Sequence, residues 1–227
     1  MIPSAGFTTR MIAIVDYQMS NLFSVKNALD FLQIESEITF DPTRIAAADG
    51  MILPGVGAFP EAMRHLQELD LVQPIIDFIK AGKPFMGICL GFQLLFSESE
   101  EFGVTRGLNV IQGKVKCLAG CGSIRVVPHV GWNSIEKTQF TGSEAENNPL
   151  SCVRDKAFMY FVHSFYVEPI DPLNVMSMTT YEDFSFCSSV FQENIFACQF
   201  HPEKSGPAGL KLLNGYFSKL GGKHSGI

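Results

Sequence analysis

The sequence is poor in charged residues, and it has no apolar run long enough to cross a membrane. Aspartate, glutamate, lysine and arginine make up 18% of the 227 residues, and the formal net charge is −6. A nucleic-acid surface needs a basic stripe, which an acidic chain does not offer. A membrane-spanning helix needs about 20 consecutive apolar residues. We therefore expect neither nucleic acid nor a membrane as a partner.

The six cysteines show none of the spacings typical of small disulfide-linked scaffolds. A chain that is 46% hydrophobic can bury one sizeable core without cross-links. Cys117 and Cys121 are close in sequence, but no second His/Cys pair completes a four-ligand zinc site. Residues 1–9 lack the charged segment followed by a long apolar core that a secretory signal has. We expect reduced thiols, no metal, no cofactor and a cytoplasmic location.

No internal repeat is visible, so we expect a single domain. We assign residues 11–222 to this domain, residues 1–10 to an N-terminal extension and residues 223–227 to a C-terminal tail. The short acidic stretch 141–148 is typical of a surface loop.

Apolar periodicity predicts alternating strands and helices over the first 100 residues. The predicted strands are 11–15, 36–40 and 50–53, and the last of these is expected to end at Pro54-Gly55. The predicted helices cover 21–32, the segment starting at Pro60, and 72–81. Such alternation is typical of a parallel sheet with helices on its faces.

The pattern changes after Phe102, where short β-rich runs are separated by turn residues. These predicted strands are 110–115, 125–130, 158–162, 175–181, 185–192 and 195–200. An amphipathic helix is predicted over 207–220. The sequence therefore predicts an α/β fold: a central, mostly parallel sheet flanked by helices, with an antiparallel β addition.

A candidate nucleophile lies in the run Gly87-Ile88-Cys89-Leu90-Gly91. Small residues on both sides of a nucleophile are typical of a sharp strand-to-helix turn that holds the side chain clear of the sheet. The following helix N-terminus favours a thiolate. His201-Pro202-Glu203 supplies a base and a carboxylate to orient it. A lone cysteine is usually a small buried hydrophobe, but the combination of the two motifs favours a catalytic triad.

Residues 84–93 (Pro-Phe-Met-Gly-Ile-Cys-Leu-Gly-Phe-Gln) and 199–204 (Gln-Phe-His-Pro-Glu-Lys) resemble the class I, triad-type glutamine amidotransferases. More narrowly, the chain resembles the glutaminase subunits of imidazole glycerol phosphate synthase over about residues 11–220. Four further segments carry this narrower resemblance: Val15-Asp16-Tyr17 with Asn21-Leu22, residues 53–59, residues 128–133 and residues 161–166. The resemblance implies a flavodoxin-like, class I amidotransferase fold.

The resemblance implies that the chain hydrolyses L-glutamine to glutamate and ammonia through a cysteine thioester. Cys89 would be the nucleophile, His201 the base and Glu203 its orienting group. The oxyanion hole would be formed by the backbone amide of Leu90 and by that of Val56 or Gly57. The loop that contains Val56 and Gly57 is thought to rearrange in relatives. Glutamine would be bound by the following residues: Gly55, Gln93, His163, Ser164 and Phe165. We interpret His163 as structural or backbone-bonded, not as a second base.

Released ammonia needs a second site, and the sequence has no Walker A motif, metal cluster or nucleotide fingerprint for one. The resemblance implies that ammonia passes to a (β/α)8-barrel cyclase. That partner would make imidazole glycerol phosphate and an aminoimidazole carboxamide ribotide in histidine biosynthesis. The resemblance places four residues at the partner interface: Asn21, Trp132, Asn133 and Lys204. An aromatic and a basic residue are common interface anchors.

The segment after Tyr17 departs from the family pattern. Gln18-Met19-Ser20 stands where the family commonly has Gly-x-Gly. This leaves open a paralogous glutaminase that supplies ammonia for amidation of a surface-polysaccharide sugar. Two further alternatives are a binding module that has lost catalysis and a cysteine peptidase or glutamyl hydrolase of related fold. The intact triad argues against the first, and Gln93 argues against the second.

Overall fold

A computed structural model describes residues 11–122, 124–138 and 148–218. The expected extension 1–10, most of the predicted loop 141–148 and the predicted tail lie outside these residues. The first half alternates strands and helices: β1 (Ile12–Val15), α1 (Leu22–Phe31), β2 (Ser36–Thr39), α2 (Pro42–Ala47), β3 (Gly50–Gly55), α3 (Phe59–Glu68), α4 (Val72–Lys80), β4 (Phe85–Cys89) and α5 (Leu90–Gln93).

The second half is rich in strands and ends in a helix: β5 (Phe96–Ser99), β6 (Thr105–Arg106), β7 (Ile111–Cys117), β8 (His129–Lys137), β9 (Ala157–His163), β10 (Phe165–Pro169), β11 (Val175–Tyr181), β12 (Phe184–Gln192), β13 (Ile195–Cys198) and α6 (Gly206–Ser218). The predicted α/β class with an antiparallel addition is confirmed.

The strands form one 13-stranded sheet in the described part of the chain, in the order β2-β1-β3-β4-β13-β12-β10-β7-β5-β6. Strands β2, β1, β3, β4 and β13 run parallel to one another. The following strands β12, β10 and β7 pair in antiparallel fashion. Strand β11 pairs with β12 and β8, and β8 pairs with β9, so these three strands form a branch.

Alternate residues of the central strands pack on opposite faces of the sheet. Residues such as Ala13 and Leu53 face helices α3 and α4, while Ile14 and Ile52 face α1 and α6. The two apolar layers cover both faces, which explains why the central strands are continuous apolar runs.

Most element differences from the sequence prediction have a local cause. Strand β3 runs through Pro54 to Gly55 instead of ending at Leu53. Its pairing with β1 ends at Ile52, while its pairing with β4 continues to Gly55. A proline is tolerated where one neighbouring strand has ended.

The strand predicted over 125–130 begins only at His129. The backbone amides of Arg125 and Val126 donate to the Glu182 carboxylate instead of to a strand, and Pro128 has no amide. Helix α2 was not predicted, although Asp41 caps it and a proline occupies its first turn.

Candidate active site

The candidate nucleophile Cys89 lies at a strained turn at the end of β4. Its backbone has φ 55° and ψ −109°, an unfavourable region for a residue with a side chain. The flanking glycines serve a different purpose from the one predicted, because they permit close approach. A Cβ at Gly91 would overlap the Leu53 carbonyl oxygen, and a Cβ at Gly87 would lie 3.0 Å from the Gly91 oxygen. The bend itself is made by Cys89.

The helix that follows Cys89 is shorter than the thiolate argument needs. Helix α5 covers only Leu90–Gln93, a single turn. A macrodipole builds up over several aligned turns, so its effect on the thiol is small here.

His201 and Glu203 follow β13, which is parallel and adjacent to β4. The carboxyl ends of the two strands meet at one edge of the sheet, so the three side chains converge there. Nδ1 of His201 donates to Oε1 of Glu203 at 2.8 Å, and the two side chains are only 3% and 2% exposed. The Ser205 hydroxyl holds the turn by donating to the His201 carbonyl at 2.6 Å.

The electrostatics favour a charged imidazole between the sulfur and the carboxylate. Burial lowers the pKa of His201, but the nearby charges of Cys89 and Glu203 outweigh it and raise the pKa to about 10. Nε2 of His201 is buried, and because Nδ1 is bound to Glu203, Nε2 is the ring nitrogen that faces the Cys89 side chain. Sγ of Cys89 is 3.7 Å from the Val162 carbonyl. The imidazole can thus exchange a proton at Nε2 while Glu203 fixes Nδ1–H.

The loop of residues 54–57, here called the oxyanion loop, lies beside Cys89. The Val56 amide donates to the Met19 carbonyl at 2.9 Å, so it is not available to an oxyanion in this conformation. Gly57 has φ 118°, which favours glycine. A Cβ at Gly55 would overlap the Tyr17 hydroxyl. Of the two predicted alternatives for the second donor, Gly57 is the one without this competing bond to Met19.

A cleft of about 260 Å³ adjoins Cys89. Its walls include eight residues predicted for the oxyanion hole, the nucleophile and glutamine binding: Val56, Gly57, Cys89, Leu90, Gln93, His163, Ser164 and Phe165. A larger cavity of about 520 Å³ lies around Trp132 and Lys211. We assign the chemistry to the smaller cleft because it contains the thiol.

Two buried histidines support the back of the cleft as neutral side chains. Nδ1 of His163 donates to the Phe165 carbonyl at 2.8 Å, and its Nε2 accepts from Nδ1 of His129 at 3.0 Å. Burial lowers the pKa of His163 to about 3 and that of His129 to about 4. This geometry suits the predicted backbone-bonded role of His163.

Three residues near the site were not predicted from the sequence to have a role there. Gln199 is fully buried and bonds to both Gln93 and Cys89. Ser205 holds the turn of the histidine. Glu101 lines the cleft, and its carboxylate accepts from the Phe59 amide at 2.7 Å. Burial raises the pKa of Glu101. Gln199 and Glu101 depend on contacts between distant segments, and the Ser205 hydroxyl also accepts from the distant Tyr160 amide at 2.9 Å.

The residues predicted for a partner interface lie near the same edge but not all face outward. Asn21 and Lys204 are exposed, and helix α1 contacts the 3-10 turn Pro202–Lys204. Trp132 is 55% exposed. Asn133 points to the opposite face of β8, where its amide donates to the Thr180 carbonyl at 2.9 Å. The Asn133 side chain is therefore turned away from the surface that Trp132 presents.

The family model for class-I glutamine amidotransferases matches residues 13–220. The chain therefore belongs to the class-I glutamine amidotransferase family, and it is an enzyme of that class. A solved structure of similar fold is PurLQS from Thermotoga maritima, with a TM-score of 0.69, 18% identity, and coverage of 93% of this chain and 99% of that one.

Closer relatives carry a narrower name. The chain is 42% identical over 210 residues to the imidazole glycerol phosphate synthase subunit HisH of Nostoc punctiforme, covering 92% of this chain and 96% of that protein. It is 44% identical over 203 residues to the subunit of the same name from Rhodopirellula baltica, covering 89% and 95%.

Proposed function

We propose that this chain is the glutaminase subunit of an imidazole glycerol phosphate synthase. The observation that carries the proposal is the buried imidazole of His201, held by Glu203 at 2.8 Å and raised in pKa by Cys89 beside a cleft. The HisH relatives favour the histidine pathway over the sugar-amidating paralog. Such an enzyme would act in the cytoplasm.

In the proposed mechanism, His201 takes the proton of Cys89, and the sulfur attacks the side-chain carbonyl of glutamine. The carbonyl π electrons move onto oxygen and form a tetrahedral oxyanion, which backbone amides of Leu90 and of Gly57 or Val56 would meet. When the C–N bond breaks, His201 gives its proton to the departing ammonia. Water, deprotonated by His201, then cleaves the thioester to glutamate and restores the thiol.

The far end of the cleft supplies groups for the amino-acid part of glutamine. Nε2 of Gln93 donates to the Phe165 carbonyl and to Oε1 of Gln199, both at 3.0 Å. Both of its hydrogens are therefore used, and the Gln93 oxygen is left as an acceptor. We infer that this oxygen and the Glu101 carboxylate receive the α-ammonium, while Gly55 and the backbone of His163, Ser164 and Phe165 complete the site.

We infer that the edge around the cleft docks a barrel cyclase and passes ammonia to it. The exposed side chains Asn21, Trp132 and Lys204 border this edge, and Phe23 is 74% exposed beside Asn21 at the start of α1. Exposed aromatic side chains flanked by a cation are typical of interface anchors. An enclosed interface would also keep ammonia from being protonated in water.

The first experiment measures glutamate formation by the purified chain, alone and with the barrel cyclase of the same organism plus its ribonucleotide ligand. We expect slow hydrolysis alone and strong stimulation by the loaded cyclase, since the bond from the Val56 amide to the Met19 carbonyl restrains the loop that would supply the second oxyanion donor, whether Val56 or Gly57. Cys89→Ser should abolish hydrolysis while leaving ammonia-dependent synthesis by the partner unchanged.

The two exposed phenylalanines of α1 provide a matched test of the interface. Phe23 and Phe31 are 74% and 76% exposed at opposite ends of the helix. Phe23→Ser should weaken stimulation, and Phe31→Ser should not. If the cyclase gives no stimulation while Cys89 still reacts with a glutamine-mimicking electrophile, the chain is a glutaminase with another partner. If Cys89→Ser keeps hydrolysing glutamine, the mechanism is wrong.

A further inference from the structure

Gln199 joins the candidate nucleophile to the candidate glutamine-binding side chain. It lies one residue beyond β13 and two residues before His201, and its side chain is fully buried. Its Oε1 accepts from Gln93 at 3.0 Å, and its Nε2 donates to Cys89 Sγ at 3.6 Å. A buried amide with a partner at each end is held in one orientation.

The direction of this hydrogen-bond chain is fixed by a backbone carbonyl. The Phe165 carbonyl can only accept, so the nitrogen of the Gln93 amide must face it. The second hydrogen of that nitrogen then requires an acceptor, which is the oxygen of Gln199. It follows that the nitrogen of Gln199 faces Cys89, and the sulfur receives an N–H donor. A donor stabilises a thiolate more than a thiol.

We propose that Gln199 is a positioning residue that stabilises the Cys89 thiolate and fixes the Gln93 amide with its oxygen toward the cleft. The proposal rests on the glutaminase function above and deepens it. Without the acceptor on Gln199, the Gln93 amide loses one of its two restraints, and its oxygen is less firmly held as a ligand for the α-ammonium. Without the donor on Gln199, more of Cys89 remains a thiol.

The two contacts can be separated with two variants. Gln199→Met removes both, so we expect a higher KM for glutamine and a pH midpoint of Cys89 alkylation raised by about one unit, a roughly tenfold loss of thiolate at fixed pH. Gln199→Glu keeps an acceptor for Gln93 and adds negative charge beside the sulfur. We expect it to raise the midpoint further while leaving KM close to the wild-type value.

The readouts are iodoacetamide alkylation followed by peptide mapping, and glutamate formation by the whole chain. The exposed Cys152 serves as an internal reference for alkylation. Tyr216→Phe is the matched control. The buried Tyr216 hydroxyl contacts the Phe85 and Asn194 carbonyls at 2.9 and 2.8 Å, where β4 and β13 begin, which is the end of both strands away from Cys89. This control should lower stability without moving the alkylation midpoint or KM.

An unchanged alkylation midpoint in a folded Gln199→Glu protein would overturn the thiolate contact. An unchanged KM in folded Gln199→Met would overturn the positioning of Gln93. The alkylation profile needs no glutamine, so it separates failure of this proposal from failure of the glutaminase function. A wild-type chain that neither hydrolyses glutamine nor reacts at Cys89 with a glutamine-mimicking electrophile would refute the function, and the role of Gln199 at the sulfur would still be read from the iodoacetamide midpoints.

Discussion

Replacing Glu203 with glutamine removes one charge from the candidate triad and little else. The introduced amide oxygen can still accept the Nδ1–H of His201, so the ring keeps its tautomer. What is lost is a charge-assisted hydrogen bond between side chains that are 3% and 2% exposed. Such bonds contribute roughly 1.5–3 kcal/mol, so we expect kcat for glutamine hydrolysis to fall roughly 10- to 150-fold.

The pKa of His201 determines the direction in which Glu203→Gln should move the pH profile. The pKa of His201 is raised to about 10, so the imidazolium persists through neutral pH and the basic limb of the activity profile lies near that value. Losing the Glu203 charge lowers this pKa, and the basic limb should move down by about one to two units. Because the pKa of His201 is raised in the folded protein, the stability contributed by its charged imidazole is complete below pH 6.5 and is lost as pH rises toward about 10.

The assay is glutamate formation against pH for wild type, Glu203→Gln and the surface control Glu68→Gln. Glu68 has a side chain that is 57% exposed on α3, and its substitution changes the net charge by the same amount. The control should keep the wild-type profile. A Glu203→Gln enzyme with kcat within twofold of wild type and an unmoved basic limb would refute an orienting carboxylate at this position.

Three further predictions concern stability. Gly91→Ala should lower the free energy of unfolding by about 1–3 kcal/mol, because its Cβ would overlap the Leu53 carbonyl. The control Gly120→Ala should lower it much less, because its Cβ would meet open space, and urea titration compares the two variants. His163 is neutral with a pKa of about 3, so it should contribute a loss of stability of roughly 1.4 kcal/mol per pH unit below pH 6.5, in addition to the contribution of His129. His163→Gln should make the pH dependence less steep in denaturant titrations across pH. Gln18→Gly should raise the free energy of unfolding by about 0.5–1 kcal/mol, because the backbone of Gln18 has φ 68°, a region that favours glycine. Thermal melts measure this change, and no gain in stability would contradict backbone strain at Gln18.

The sequence was sufficient for the elements whose cause is local. The periodicity of the apolar residues predicted β1, α1, α4 and β11 to within one or two residues. The spacing of small residues around Cys89 identified the turn, and His201-Pro202-Glu203 identified the candidate base and its orienting carboxylate by residue type. What these patterns lack is information on which distant segments become neighbours.

Most of the missed features of the site are long-range, whereas helix α2 was missed despite its local cap. Gln199 meets Gln93 and Cys89 across more than 100 residues of chain, and no local pattern marks a buried amide as one that bonds to a thiol. The glycines beside Cys89 were expected to make the bend, yet Gly91 is required by the position of β3. The bond between Val56 and Met19 likewise depends on how two loops meet.

The bond between the Val56 amide and the Met19 carbonyl has a consequence for how a partner can be sensed. Met19 lies two residues before the exposed Asn21, in the segment that departs from the family pattern. A molecule that binds this segment and shifts its backbone would move the Met19 carbonyl, which is the group that restrains the proposed oxyanion loop. If the proposed role of this loop is right, no signal has to cross the core, because a single hydrogen bond joins the surface segment to the loop.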